Sequence, residues 1–192
     1  MLLQKSKIHN LCREHGIKNY TINDDISISV DGSVDLAYKN LKSLPIKFKE
    51  VSGDFSCSHN QLTSLKYCPE TVGGHFSCSD NQLTSLEGCP ESVGGDLSCN
   101  HNQLTNFDGL PEFCEQDISL IGNPVNEIYK LFKEDHRCIY WIREYDVIMD
   151  MTVIRDRLEE VYHTLGMDVP NLFRITLNSD KDISFKEYIL IF

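Results

Sequence analysis

The chain has little that would carry it into a membrane or onto a nucleic acid. No apolar run in its 192 residues approaches the roughly 20 needed to cross a bilayer. The opening stretch, MLLQKSKIHNLC, is basic and mildly apolar, yet it has neither the apolar core nor the small-residue cleavage site of a secretory signal. A cytoplasmic location is therefore expected. Lys and Arg total 18 against 29 Asp and Glu, a net charge of −11. The basic residues do not cluster as phosphate-backbone contact requires, so direct nucleic-acid binding is not expected. Residues 34–122 are the most acidic part, with 5 basic and 12 acidic groups, and a protein with a basic surface is the partner that balance suits. No glycine-rich phosphate loop occurs either.

Cysteine is abundant: eight residues, enough to suggest a disulfide or zinc framework. Their neighbours explain them better. FSCSHNQLTSLKYCP begins at Phe55, FSCSDNQLTSLEGCP at Phe76 and LSCNHNQLTNFDGLP at Leu97, so one unit repeats every 21 residues. Five copies start at Val34, Phe55, Phe76, Leu97 and Ile118. Each reads apolar-x-apolar-x-x-N-x-apolar-x-x-apolar, except that the first has Lys39 in place of Asn. Cys57, Cys78 and Cys99 fall in one column with Leu36 and Leu120, while Cys68 and Cys89 share another with Leu110. A position that accepts Leu asks for a buried apolar group, and Cys serves there as a small hydrophobe. No metal and no cofactor is expected, and reduced thiols agree with a cytosolic setting.

Residues two apart share one side of a strand, so Phe76 and Cys78 point inward and Ser77 outward. One copy cannot bury such a strip, whereas copies stacked about 4.8 Å apart in a parallel sheet make a continuous core. Asn60, Asn81, Asn102 and Asn123 form a column just past the strand, where a buried amide can pair with peptide groups that have left the ladder. Gly73-Gly74 and Gly94-Gly95 precede the strands and suggest tight turns with positive φ. Pro69, Pro90 and Pro111 keep the outer arc extended.

This pattern resembles the leucine-rich repeat, whose core is L-x-x-L-x-L-x-x-N-x-L. The phrases NQLTSL and GNPVNEIYKLF are similar to short repeats of uncharacterised leucine-rich-repeat proteins of tailed bacteriophages. The fold implied is a leucine-rich-repeat solenoid, a parallel β-sheet superhelix with a mostly extended convex side. Residues 1–33 form an N-terminal cap, 34–128 the repeats and 129–192 a C-terminal cap. The resemblance implies a phage-encoded binder or inhibitor of a host bacterial protein, of the anti-defence kind.

The outward positions supply the expected concave contact face. One column is Asp54, His75, Asp96 and Asp117, the next holds Ser56, Ser77, Ser98 and Ser119, and a third holds Ser58, Ser79, Asn100 and Ile121. Just past the strand come Tyr38, His59, Asp80 and His101. A metal on His59, Asp80 and His101 is one reading, and a solvated ladder in which alternating His and Asp relieve like-charge repulsion is another. Protein binding is preferred, because solenoids present extended concave surfaces. No serine has a base and an orienting group set by the repeat, so no enzyme is expected. A DNA-mimic inhibitor and a structural or oligomeric assembly component are the alternatives, with monomer and dimer both open.

At the N-terminus, residues 2–15 read as a helix stopped by Gly16, followed by alternating strands about an Asp31-Gly32 hairpin turn. At the C-terminus, residues 125–134, 136–146 and 152–165 read as helices, making that cap mainly α-helical. Trp141, Tyr140 and Tyr145 belong to its core, and the tail from Leu172 reads as two strands ending in the apolar YILIF.

Overall fold

A computed structural model describes residues 2–126, 148–149, 152–153, 155–166 and 183–184. The chain divides into two compact units, Met1–Leu104 with Asp108–Asn123, and Thr105–Phe107 with Pro124–Phe192.

The first unit is a parallel-strand solenoid preceded by a helix, α1 (Leu2–His15). Ile8 and Cys12 bury one side of that helix, and Gly16 at φ +72° closes it in the left-handed conformation that favours glycine. The expected strand column is present as β3 (Val34–Asp35), β5 (Phe55–Ser56), β7 (Phe76–Ser77), β9 (Leu97–Ser98) and β11 (Ile118–Ser119), which together form one parallel sheet. Val34, Phe55, Phe76, Leu97 and Ile118 pair in that order, so the register is the repeat period itself. The extended outer arc builds a second sheet from β1 (Tyr20–Ile22), β2 (Ile28–Val30), β4 (Phe48–Val51), β6 (Thr71–Val72), β8 (Ser92–Val93) and β10 (Phe113–Cys114). Here Val51, Val72, Val93 and Cys114 align, and all strand pairs are parallel except β1 with β2.

The core lies between the two sheets. The Phe55 and Phe76 rings stack with centroids 5.7 Å apart, and Phe48 meets Phe55 edge-on at 5.1 Å. Leu62, Leu83 and Leu104 are fully buried in one column, each such side chain contributing about 1.5–3 kcal/mol. Cys57, Cys78 and Cys99 are fully buried as well, and the described cysteines are free thiols.

Three local expectations need correction. The hairpin turns at residues 23–27, with Tyr20 opposite Val30 and Ile22 opposite Ile28, while Asp31-Gly32 joins β2 in one sheet to β3 in the other. Two strands in different sheets cannot form a hairpin. The glycine pairs do not adopt positive φ. They are small because coils approach closely: a Cβ on Gly73 would lie 2.3 Å from the Ser52 carbonyl oxygen, and one on Gly94 2.4 Å from that of Gly73. Finally, Ser58 and Ser79 are buried, since the chain turns inward directly after the strand.

In the second unit, β12 (Ile148–Met149), β13 (Thr152–Val153) and β14 (Ile183–Ser184) form an antiparallel sheet, and α2 (Arg155–Thr164) carries the buried Val161 and Tyr162. The helix expected from residue 152 starts at Arg155 because Thr152 and Val153, both β-branched, pair with strands on either side. The described residues of this unit include the three strands and the helix α2. The helix expected at 136–146 with Trp141, most of that at 125–134, and the apolar end at 186–192 lie outside the described residues.

Burial raises the thiols of Cys12, Cys68 and Cys89, and Cys78 is raised first by its hydrogen bond with Cys99 and then by burial. Burial therefore disfavours the reactive thiolate at these positions. With Ellman's reagent at pH 8, the native protein is expected to release colour first from the half-buried Cys114 among the described thiols. Cys57, Cys68, Cys78 and Cys99 should follow only on unfolding. Rapid reaction of those four in the native state would contradict a packed interior.

Candidate functional site

Three polar columns lie along the five-stranded sheet, and hydrogen bonding separates them. In the first, every acceptor serves the coil that follows. Ser33 Oγ accepts the Asp54 N–H at 3.0 Å, Asp54 Oδ1 the His75 N–H at 2.9 Å, His75 Nδ1 the Asp96 N–H at 2.9 Å, and Asp96 Oδ1 the Asp117 N–H at 3.1 Å. For Nδ1 to accept, the His75 ring must be neutral with its proton on Nε2. Glycine makes room for this fold-back: a Cβ on Gly74 would lie 2.1 Å from Asp54 Oδ1, and one on Gly95 2.7 Å from His75 Nδ1. The column therefore fastens one coil to the next.

The serine columns form a second network. Ser58 and Ser77 hydroxyls are 2.7 Å apart and those of Ser79 and Ser98 are 2.9 Å apart. Asn100 continues the line, accepting from the Ser119 hydroxyl at 2.7 Å and from the Ile121 N–H at 2.9 Å, and donating to Ser98 Oγ at 3.1 Å. Ser77 and Ser98 thus spend their hydroxyls on neighbours.

Tyr38, His59, Asp80 and His101 are arranged differently. All four have left-handed backbones, with φ of 57°, 54°, 56° and 52°, and Gly122 continues the column at 74°. A single left-handed residue turns the chain off the strand toward the buried Asn, and a repeat of such residues turns every coil alike. Their side chains bond to no main-chain group among the described residues. The Tyr38 ring stacks on His59 with centroids 4.2 Å apart and planes 10° apart, and His59 Nδ1 lies 3.5 Å from Asp80 Oδ2. Tyr38 is 73% exposed. His101 packs over Gly122, where a Cβ would come within 2.5 Å of its Nδ1. Beside the first column, His75 Nδ1 also lies 3.3 Å from Asp96 Oδ2.

Below this surface runs the asparagine ladder. Asn81 Nδ2 donates to the carbonyls of Cys57 and Cys78, both at 3.0 Å, and its Oδ1 accepts the Leu62 N–H at 2.9 Å. Asn60, Asn102 and Asn123 repeat the arrangement one coil apart.

The structure thus gathers the predicted face residues on one surface and divides them by task. Asp54, His75, Asp96, Ser77 and Ser98 are bonded into the solenoid, while His59, Asp80 and His101 stand outside its ladders. Tyr38, which the repeat places in the same column, belongs with that last group through its stack on His59. Among the described residues no group of three or more His, Cys, Asp or Glu converges to hold a metal, and no helix is long and apolar enough to cross a membrane. Compared with known protein families, with curated proteins and with solved structures, the chain matches none.

Proposed function

We propose that the chain is a non-enzymatic recognition module of leucine-rich-repeat type, binding a basic protein surface through the Tyr38, His59, Asp80 and His101 column. The observation that carries this reading is the contrast among the columns. Where Asp54, His75, Asp96, Ser77 and Ser98 complete hydrogen bonds between coils, these four present an aromatic platform, two imidazoles and a carboxylate to solvent. A flat aromatic ring beside a carboxylate suits a guanidinium group, which stacks on one and pairs with the other. The acidic excess of residues 34–122 supplies the long-range attraction.

The period and the asparagine ladder support the repeat type, and the likeness to phage repeats makes a host bacterial protein in the cytoplasm the proposed partner. A DNA mimic has less support, because Asp54 and Asp96 each use one carboxylate oxygen within the ladder.

The test is affinity capture from a bacterial lysate in 0.1 M salt, comparing the wild type with Asp80→Lys. A basic protein retained by the first, released at 1 M salt and lost by at least about tenfold with the variant is the expected result. Identical capture by both proteins would remove this column from the interface.

A further inference from the structure

A groove of about 320 Å³ opens between α1, the turn joining β1 to β2, and the arc that precedes β4. Its apolar side chains are Ile8 and Leu11 on the helix, Pro45 and Ile46 on the arc, Ile26 on the turn and Tyr67 from the next coil, and Gln4, Lys7, Asp25 and Lys47 complete the lining. The volume is at the low end for ligand pockets and suits a small molecule.

Two of the lining residues break local rules. Ile26 has φ +67°, a conformation that a β-branched residue rarely adopts. The turn is over-determined: the Asn23 N–H donates to the Ser27 carbonyl at 2.9 Å, the Ile26 N–H to the Asn23 carbonyl at 3.1 Å, and Asp25 Oδ1 accepts from the Ser27 N–H at 3.1 Å. Gly or Asn would hold this turn at lower cost, and neither would offer an apolar wall.

Tyr67 makes the same point through the repeat itself. One and two periods later the position is Gly88 and Gly109, and all three residues share the left-handed conformation, at φ +79°, +86° and +81°. The copy that borders the groove is the copy that replaces glycine with a large aromatic residue, which remains 44% exposed. Backbone strain that the surroundings sustain at one cleft is the pattern of a binding site.

Charge narrows the ligand. Lys47 Nζ lies 2.5 Å from Asp25 Oδ2, and this bond, followed by those from Ser27, holds the Asp25 carboxyl well below its usual range. Lys47 is thereby engaged. Lys7, on the same rim, has no carboxylate partner among the described residues. The groove therefore joins a set of apolar side chains to one cation, Lys7, that has no carboxylate partner among the described residues.

We propose that this groove binds a small monoanion with an apolar body, a medium-chain carboxylate in the first instance, with the carboxylate on Lys7 and the chain between Ile26 and Tyr67. The site is independent of the recognition face. Titration calorimetry of the whole chain with octanoate, octanol and octylamine tests it. Octanoate should bind saturably and more tightly than octanol, with octylamine weakest. Lys7→Glu and Tyr67→Gly should each weaken octanoate about tenfold. Because glycine suits φ +79°, Tyr67→Gly should do so with Tm unchanged to within a few degrees, which separates lost contact from lost fold. Absence of saturable octanoate binding, octylamine binding as tightly as octanoate, or wild-type affinity in both variants would each overturn the proposal.

Discussion

Replacing Asn81 with alanine is expected to destabilise the first unit by about 2–4 kcal/mol, while Gln82→Ala, one residue along and exposed, changes stability by no more than about 0.5 kcal/mol. The Asn81 side chain bonds to the main chain of its own coil and of the preceding one, and removing it leaves the buried Leu62 N–H without its acceptor. An unmet buried donor alone costs about 1–3 kcal/mol. The carbonyls fare better, because each is shared. Cys57 O also accepts from Asn60 at 3.0 Å, and Cys78 O from Asn102 at 3.1 Å.

That sharing makes a sharper expectation. In Asn81→Ala/Asn102→Ala both donors to Cys78 O are gone, so the double variant should lose at least about 0.5 kcal/mol more than the two singles together. Asn60 and Asn102 share no carbonyl, and their double variant should be additive to within about 0.5 kcal/mol. Urea unfolding followed by circular dichroism measures all of these. Equal midpoints for Asn81→Ala and Gln82→Ala would mean that the ladder carries no weight.

The solenoid was legible because repetition multiplies a weak signal. A cysteine or an asparagine at one place says little, but Cys at three positions and Asn at four, each 21 residues from the last, report that coils lie in register. The second sheet was harder to see. Its strands are two to four residues long, and Thr71-Val72 or Ser92-Val93 in isolation carries no alternation to count. The glycine pairs were read through the commoner reason for glycine, backbone conformation, when the operative one is the distance between stacked coils. That distance belongs to neighbours 21 residues away and has no local signature. The face shows the same limit. Outward-pointing residues could be picked out, but whether a carboxylate faces solvent or accepts the next coil's N–H depends on how that coil, 21 residues away, lies against it. His75 is the plain case: an exposed histidine by pattern, and a hydrogen-bond acceptor for Asp96 in the structure.

Gly109→Ala is expected to be the most damaging single methyl that can be added to the arc, at about 3–5 kcal/mol, and two neighbours in its own column supply the controls. At φ +81° any Cβ brings the left-handed penalty of about 1–2 kcal/mol. The added carbon would also lie 2.2 Å from the Leu86 carbonyl carbon, 2.3 Å from its oxygen and 2.4 Å from the Glu87 nitrogen. All three are backbone, so relief requires moving a coil and the bonds that hold it. Gly88 shares the conformation at φ +86°, but its nearest contacts are 3.0–3.3 Å away, and Gly88→Ala should cost about 1–2 kcal/mol. Tyr67 already bears the conformational term, so Tyr67→Gly should be close to neutral, the relief of about 1 kcal/mol offsetting lost packing. If all three substitutions shift the urea midpoint equally, crowding between coils is not what selects glycine. If Gly109→Ala stands apart and Tyr67→Gly is silent, the column changes from a conformational constraint at its first coil to a steric one at its last, and the tyrosine is free to serve the groove.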